Sequence, residues 1–455
     1  MRDRTRELQA SDKRHLWHPF TQASEWDEEP ILVIEGAEGC WLRDTDGNRY
    51  LDGVSSLWVN VHGHRRREID DAIRSQLDRV AHTTLLGLSC TPSIELAERL
   101  AGIAPGQLSR VFFSDDGSTS VEVALKMAYQ YFQQRGRDGD ARRTRFVAYS
   151  DAYHGDTVGS VSLGGIDVFH GMYRPLLFDA LRVPYPHCYR CPMGKAEDRC
   201  ERECELVLER LLRDRAGEVC ALVIEPLVQG AAGIITAPSG YLSRVEALCR
   251  AHGVLLVCDE VATAFGRTGM MFACEHEQVS PDFLCLAKGI TGGYLPLAAT
   301  LTTEEVYEAF RGPYAAHRTF YHGHSYTGNA LAAAAALANL DLFEREKTID
   351  TLQGKVARLR QALAKKVEPL QHVGQVRQRG MMVGIELVAD RATKACFPTQ
   401  ERRGRQVVLE ARTLGVIIRP LGDVVVLMPP LAITEEQIDL LVDTTAVCIA
   451  KVTGT

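Results

Sequence analysis

Between residues 70 and 300 the chain repeats one pattern: a short apolar run with no polar alternation, then a helical stretch. The runs cover 110–114, 145–149, 219–224, 254–258 and 282–286, and helical patterns over 118–134, 204–213 and 239–252 lie between most of them. A strand that is apolar on both sides must be covered on both faces, which intervening helices do. The pattern predicts an α/β fold whose large domain holds a mostly parallel sheet covered by helices. In such a sheet ligands bind beyond the carboxyl ends of the strands, so the residues after each run matter most.

The flanks read differently. Stretches 31–34, 40–44 and 49–52, with the turn Asp46-Gly47-Asn48, read as a meander. Residues 329–342 form an Ala-rich helix suited to close packing. After about residue 345 come a charged helix, an apolar run from Met381, a helix from Glu401 and an apolar run over 424–428. The expected division is a small α+β domain built from 1–70 and 341–455, around a large domain at 71–340. A net charge of −7 and 45% hydrophobic residues exclude a disordered chain and argue against nucleic acid or an anionic membrane as partner. No run approaches the roughly 20 apolar residues of a membrane span, and the charged first residues do not read as a secretory signal. Several of the thirteen Cys, among them Cys220, Cys258 and Cys285, fall in apolar runs, so free thiols and a cytoplasmic location are expected.

Four strand ends carry chemistry. After the first run, Ser114-Asp-Asp-Gly117-Ser118-Thr-Ser120 opens a helix; its amide groups and dipole suit a phosphate, and Ser118 or Ser120 would also serve as a plain N-cap. After the second comes Tyr153-His154-Gly155, where an aromatic ring can lie on a planar ligand or pack on the core. Asp259 ends the fourth run, where a carboxylate needs a cationic or hydrogen-bonding partner unless it reaches water. Lys288 follows the fifth among small residues, where desolvation lowers an amine towards its nucleophilic form; a surface Lys is the plain alternative. Together a phosphate nest, a ring-covering aromatic, an acid and an imine-forming Lys are the parts that hold pyridoxal 5′-phosphate.

The stretch 255–269, with Asp259-Glu-Val-Ala-Thr-Ala-Phe-Gly-Arg-Thr-Gly, followed by Lys288-Gly-Ile-Thr-Gly-Gly, resembles the signature of the class III pyridoxal-phosphate aminotransferases, and the likeness covers essentially the whole chain. Segments 15–21, 52–58, 153–157 and 419–423 are similar to the branch of that family that aminates 8-amino-7-oxononanoate in biotin synthesis. The resemblance implies a fold like that of aspartate aminotransferase. It also implies catalytic roles for Lys288, which carries the cofactor and moves the proton, Asp259 at the pyridine nitrogen, and Tyr153 over the ring. Gly117 and Ser118 would hold the phosphate, with Ser325 reaching it from a neighbouring subunit of a homodimer. Trp58, Tyr153, Gly323 and Arg419 would take the substrate, Arg419 through its carboxylate. S-adenosylmethionine is the implied amino donor. Leu57 and Phe20 depart from the Trp and Tyr usual in that branch and look more like a subgroup that uses lysine.

Rival readings are another class III enzyme, an ω-amino-acid aminotransferase or an aminomutase, and a binding protein that keeps the fold; intact Lys288 and Asp259 argue against the last. Cys188, Cys191, Cys200 and Cys204 have a spacing compatible with tetrahedral zinc, yet reduced thiols tethering a loop are the simpler reading, and no metal is expected. His62-Gly-His64 and His322-Gly-His324 lack a carboxylate at metal spacing. Residues 65–67 read as the solvated start of a helix, and 230–233 lack dinucleotide spacing.

Overall fold

The computed structural model describes residues 3–196 and 199–454. Strands β1 (Ile34–Glu38), β2 (Trp41–Asp44) and β3 (Arg49–Asp52) form the N-terminal meander. The strand expected from Ile31 begins at Ile34, opposite Asp44, and just before it the Val33 carbonyl accepts the Thr45 amide. Cys40, expected at the start of the second strand, lies in the turn between β1 and β2.

The large sheet contains β4 (Leu108–Ser114), β5 (Arg145–Tyr149), β6 (Leu181–Val183) and β7 (Val219–Ile224). After a separate short pair, β8 (Val228–Gln229) and β9 (Ile235–Thr236), it is completed by β10 (Leu255–Asp259), β11 (Phe283–Leu286) and β12 (Ala298–Thr303). The order is β4-β12-β11-β10-β7-β5-β6, and only β12 runs antiparallel to its neighbours. Every residue of β7 is buried, as the unbroken apolar run requires. Neither β6 nor β12 was legible as a strand. Half of β12 is Thr, and burial is tolerated because Thr300 and Thr302 donate to the Ser120 and Asp282 carbonyls.

Helices Gly117–Gln134, Glu203–Arg215 and Tyr241–His252 occupy the predicted places. The N-cap of the first is Asp116 rather than Ser118 or Ser120. Its side chain accepts the Thr119 amide and the Thr119 hydroxyl lies within reach of the Asp116 amide, a reciprocal capping box. Helix Ala330–Arg345 packs its buried alanines against helices Arg67–Leu77 and Thr91–Ile103. At the C-terminus β13 (Val373–Arg379) and β14 (Met382–Leu387) are followed by β15 (Val416–Ile417), β16 (Arg419–Leu421) and β17 (Val424–Leu427). Strand β15 pairs in parallel with β3, so the C-terminal chain extends the N-terminal meander, while the others make an antiparallel sheet ordered β13-β14-β17-β16. Among the described residues no helix is long and apolar enough to cross a membrane.

Candidate active site

Five strand ends open on one cavity of about 520 Å³. Strand β4 leads to Asp115–Ser118, β5 to Tyr153 and His154, and β7 to Glu225; β10 ends on Asp259 and β11 leads to Lys288. Because β10 and β11 are adjacent and parallel, Asp259 and Lys288 reach the same rim.

One end of the cavity is an anion cradle. The Thr119 and Ser120 amides are spent on Asp116, which leaves those of Gly117 and Ser118 for a ligand at the positive end of the helix. A side chain at residue 117 would press within 2.6 Å of Val261, and one at Gly155, where φ is +116°, would come within 1.9 Å of Ser118 Oγ. Ser118 Oγ accepts the Asp156 amide at 3.0 Å, joining the cradle to the Tyr153 loop.

The acid lies deeper. Asp259 is buried, with Oδ1 accepting the Val261 amide at 3.0 Å and Oδ2 2.7 Å from His154 Nδ1. Glu225, a residue the sequence reading passed over, accepts the Tyr153 amide at 3.1 Å and the Gly230 amide at 2.8 Å. Its signal was present: it follows a six-residue apolar strand, as Asp259 ends a shorter one. Burial pushes its carboxyl up to about 7.

Lys288 is half-buried, and desolvation holds its amine below the ordinary lysine value against the pull of Asp259 and Glu225. Its backbone is left-handed, with φ at +46°, a conformation that a packed site must enforce. The ammonium nitrogen stands 4.9 Å from the centre of the Trp58 ring. Trp58 itself ends a run of four left-handed residues, Ser55 to Trp58, closed by Trp58 N–H to Val54 and Val59 N–H to Ser55. Each such residue costs roughly 1–2 kcal/mol in an L-chain, so the surroundings over-determine this turn.

Tyr153 lines the cavity and donates its hydroxyl to Asp156 at 2.7 Å. Its ring meets Phe169 edge-on at 6.2 Å, and Phe169 meets Phe20 at 5.3 Å, so the N-terminal segment reaches the wall of the site. Arg419, on β16, is not part of the cavity lining but lies near Tyr153. Among the described residues burial lowers its pKa and no carboxylate offsets that. Gly323 and Ser325 also lie outside this cavity, on an exposed stretch where the Ser325 carbonyl accepts His82 Nε2 at 2.7 Å.

The donor set fits pyridoxal 5′-phosphate: free helix-terminal amides in a cradle that a Cβ would fill, a fixed carboxylate, an aromatic wall and a desolvated amine share one cavity. Elsewhere, Cys188, Cys191, Cys200 and Cys204 line a second cavity of about 240 Å³ without forming disulfides. Among the described residues no three side chains are grouped to hold a metal. His64, read as having no carboxylate at metal spacing, pairs with Asp52 Oδ2 at 3.1 Å.

The family model for class-III aminotransferases matches residues 22–449, and the chain belongs to that family. It is an enzyme of amino transfer that works with pyridoxal phosphate. Over 99% of its length it is 60% identical to adenosylmethionine-8-amino-7-oxononanoate aminotransferase of Nitratidesulfovibrio vulgaris, covering 83% of that protein. It is 54% identical to the protein of the same name from Geobacter sulfurreducens, over 99% of both chains. Among solved structures, the Methanocaldococcus jannaschii protein of that name superposes with a TM-score of 0.92 at 45% identity, over 98% of this chain and 99% of that one. An (S)-enantioselective ω-transaminase from Thermomicrobium roseum also reaches 0.92, at 36% identity over 98% of both.

Proposed function

We propose that this chain aminates 8-amino-7-oxononanoate to 7,8-diaminononanoate in biotin synthesis, taking nitrogen from S-adenosylmethionine. The observation that carries the reading is the 60% identity along 99% of the chain with a relative of that name. Bound in the cavity, pyridoxal phosphate supplies the electron sink and carries the amino group between the two half-reactions. The Lys288 amine, kept towards its neutral form by burial, takes the proton from the donor carbon and returns one to the acceptor carbon. Asp259 holds a proton at the ring nitrogen, oriented for that by Val261 and His154. Gly117 and Ser118 bind the phosphate and Tyr153 covers the ring. Trp58 walls the alkyl chain, and Arg419, which has no carboxylate beside it among the described residues, receives the substrate carboxylate.

Lysine is the second reading for the donor, on the strength of Leu57 and Phe20. Leu57 is 48% exposed on the left-handed turn and Phe20 56% exposed beside Phe169, so neither puts a polar group where the usual Trp and Tyr would. Visible absorption of the purified yellow protein, recorded after each donor separately, decides. Bleaching by S-adenosylmethionine alone supports the first reading and bleaching by lysine alone the second. If neither bleaches it, an ω-amino-acid aminotransferase becomes the better reading.

The working unit is a homodimer in the cytoplasm, with Ser325 and Gly323 completing the site of the other subunit. Support comes from the exposed stretch that carries them, where Tyr314 is 86% and Tyr321 68% exposed, an apolar surface that a second copy would cover. Sedimentation at a monomer mass would overturn this part.

A further inference from the structure

The left-handed turn under Trp58 is held by a buried acid paired with a half-buried imidazole, neither of which lines the cavity. Asp52 is fully buried at the end of β3. Its Oδ1 accepts the amides of Val54 at 3.3 Å and Ser56 at 3.0 Å, and its Oδ2 accepts the Ser56 hydroxyl at 2.8 Å. His64 Nε2 donates to the same Oδ2 at 3.1 Å, and its Nδ1 faces the Asn60 amide at 3.3 Å. The far side is clamped as well: the Ser55 hydroxyl donates to the Met428 carbonyl at 2.6 Å, and the Asn60 carbonyl accepts Arg267 at 2.5 Å. Four consecutive non-glycine residues keep φ between +48° and +72° inside this frame. The indole they deliver stands over the Lys288 amine and within 3.4 Å of where a side chain on Gly230 would begin.

We propose that Asp52 and His64 are positioning residues for amino transfer: the pair holds residues 55–58 in a left-handed turn, and the turn sets the Trp58 ring against Lys288 and the substrate chain. Neither residue lines the cavity, so the pair acts through Trp58 alone. The inference rests on the reading of Trp58 as a substrate wall. Its physical content is that a right-handed or extended backbone at 55–58 would turn the indole away from the amine. Asp52 is the element that makes the unfavourable backbone the stable one, by accepting the two amides and the hydroxyl inside the turn.

The test uses the holoenzyme and the same protein labelled with 5-fluorotryptophan, the Trp58 resonance being assigned by its loss in Trp58→Phe. Asp52→Asn displaces or broadens that resonance and leaves the other three in place, while kcat/KM falls about 100-fold, mainly through kcat. His64→Gln, which removes the imidazole that fixes Asp52 Oδ2 and so lets the carboxylate shift against the turn, does the same about tenfold and serves if Asp52→Asn does not fold. Adding Ser56→Gly, which adopts the left-handed backbone without strain, returns both the resonance and the rate. A lowered Tm with an unmoved Trp58 resonance and an unchanged kcat/KM would make the pair a scaffold only and overturn the proposal. So would a failure of Ser56→Gly to restore the resonance. Should wild type not turn over the keto acid, the proposed substrate falls, while the resonance arm still reports on the pair.

Discussion

His154 Nδ1 stands 2.7 Å from Asp259 Oδ2, and both side chains are buried. The acid that ends β10 is thereby tied to the loop that carries Tyr153, and this hydrogen bond links two walls of the cofactor cavity. A buried carboxylate stripped of such a partner loses a charge-assisted bond worth about 2 kcal/mol. His154→Ala is therefore expected to lower stability by about 2 kcal/mol and to weaken cofactor retention. Denaturant unfolding and cofactor loss on dialysis check this; unchanged retention would count against the role given to Asp259.

Removal of the amine should separate chemistry from folding. Lys288→Ala is expected to lower turnover by about 10⁴-fold or more. Because burial already disfavours the charged amine, the cofactor-free variant should be no less stable than wild type. Single-turnover kinetics and thermal unfolding measure the two effects independently.

The Glu225 carboxyl makes the cofactor-free protein pH-sensitive. It titrates near 7 when folded, against an ordinary value of 4.5. Between those values the folded state holds the extra proton, so its contribution is complete below about pH 4.5 and is lost as pH rises through about 7. The loss amounts to about 3 kcal/mol by pH 8. Glu225→Gln should abolish that part of the difference between pH 5 and pH 8, whatever its absolute stability. Urea midpoints of both proteins at the two pH values are the measurement.

Arg419 should govern the acid end of the substrate. Arg419→Ala is expected to raise KM for 8-amino-7-oxononanoate about 100-fold, the worth of a charge-assisted fork, while the methyl ester of the substrate is turned over equally by both proteins. A KM that does not move places the carboxylate elsewhere.

Asp259 and Lys288 were readable because each follows an unbroken apolar strand, and a parallel sheet sends all such ends to one rim. Glu225 obeys the same rule, following the unbroken apolar run of β7, so its signal too is local. Strand β12 was different: its Thr content hides it, and only carbonyls on Ser120 and Asp282 make its burial tolerable. The N-cap is Asp116 and not Ser118 or Ser120 because several residues of this turn could each cap, and local chemistry does not rank them.

The sequence by itself determined the α/β class, the sheet rim and the principal groups placed on it, since these depend on local periodicity and on which residue ends each strand. Only the tertiary structure decided the pairing of Asp52 with His64, the junction of β3 with β15, and the left-handed turn beneath Trp58. The physical reason is the same for all three. Each is a contact or a backbone state that local preference disfavours or leaves open, and it becomes the stable choice only when residues distant along the chain supply its hydrogen bonds and exclude water.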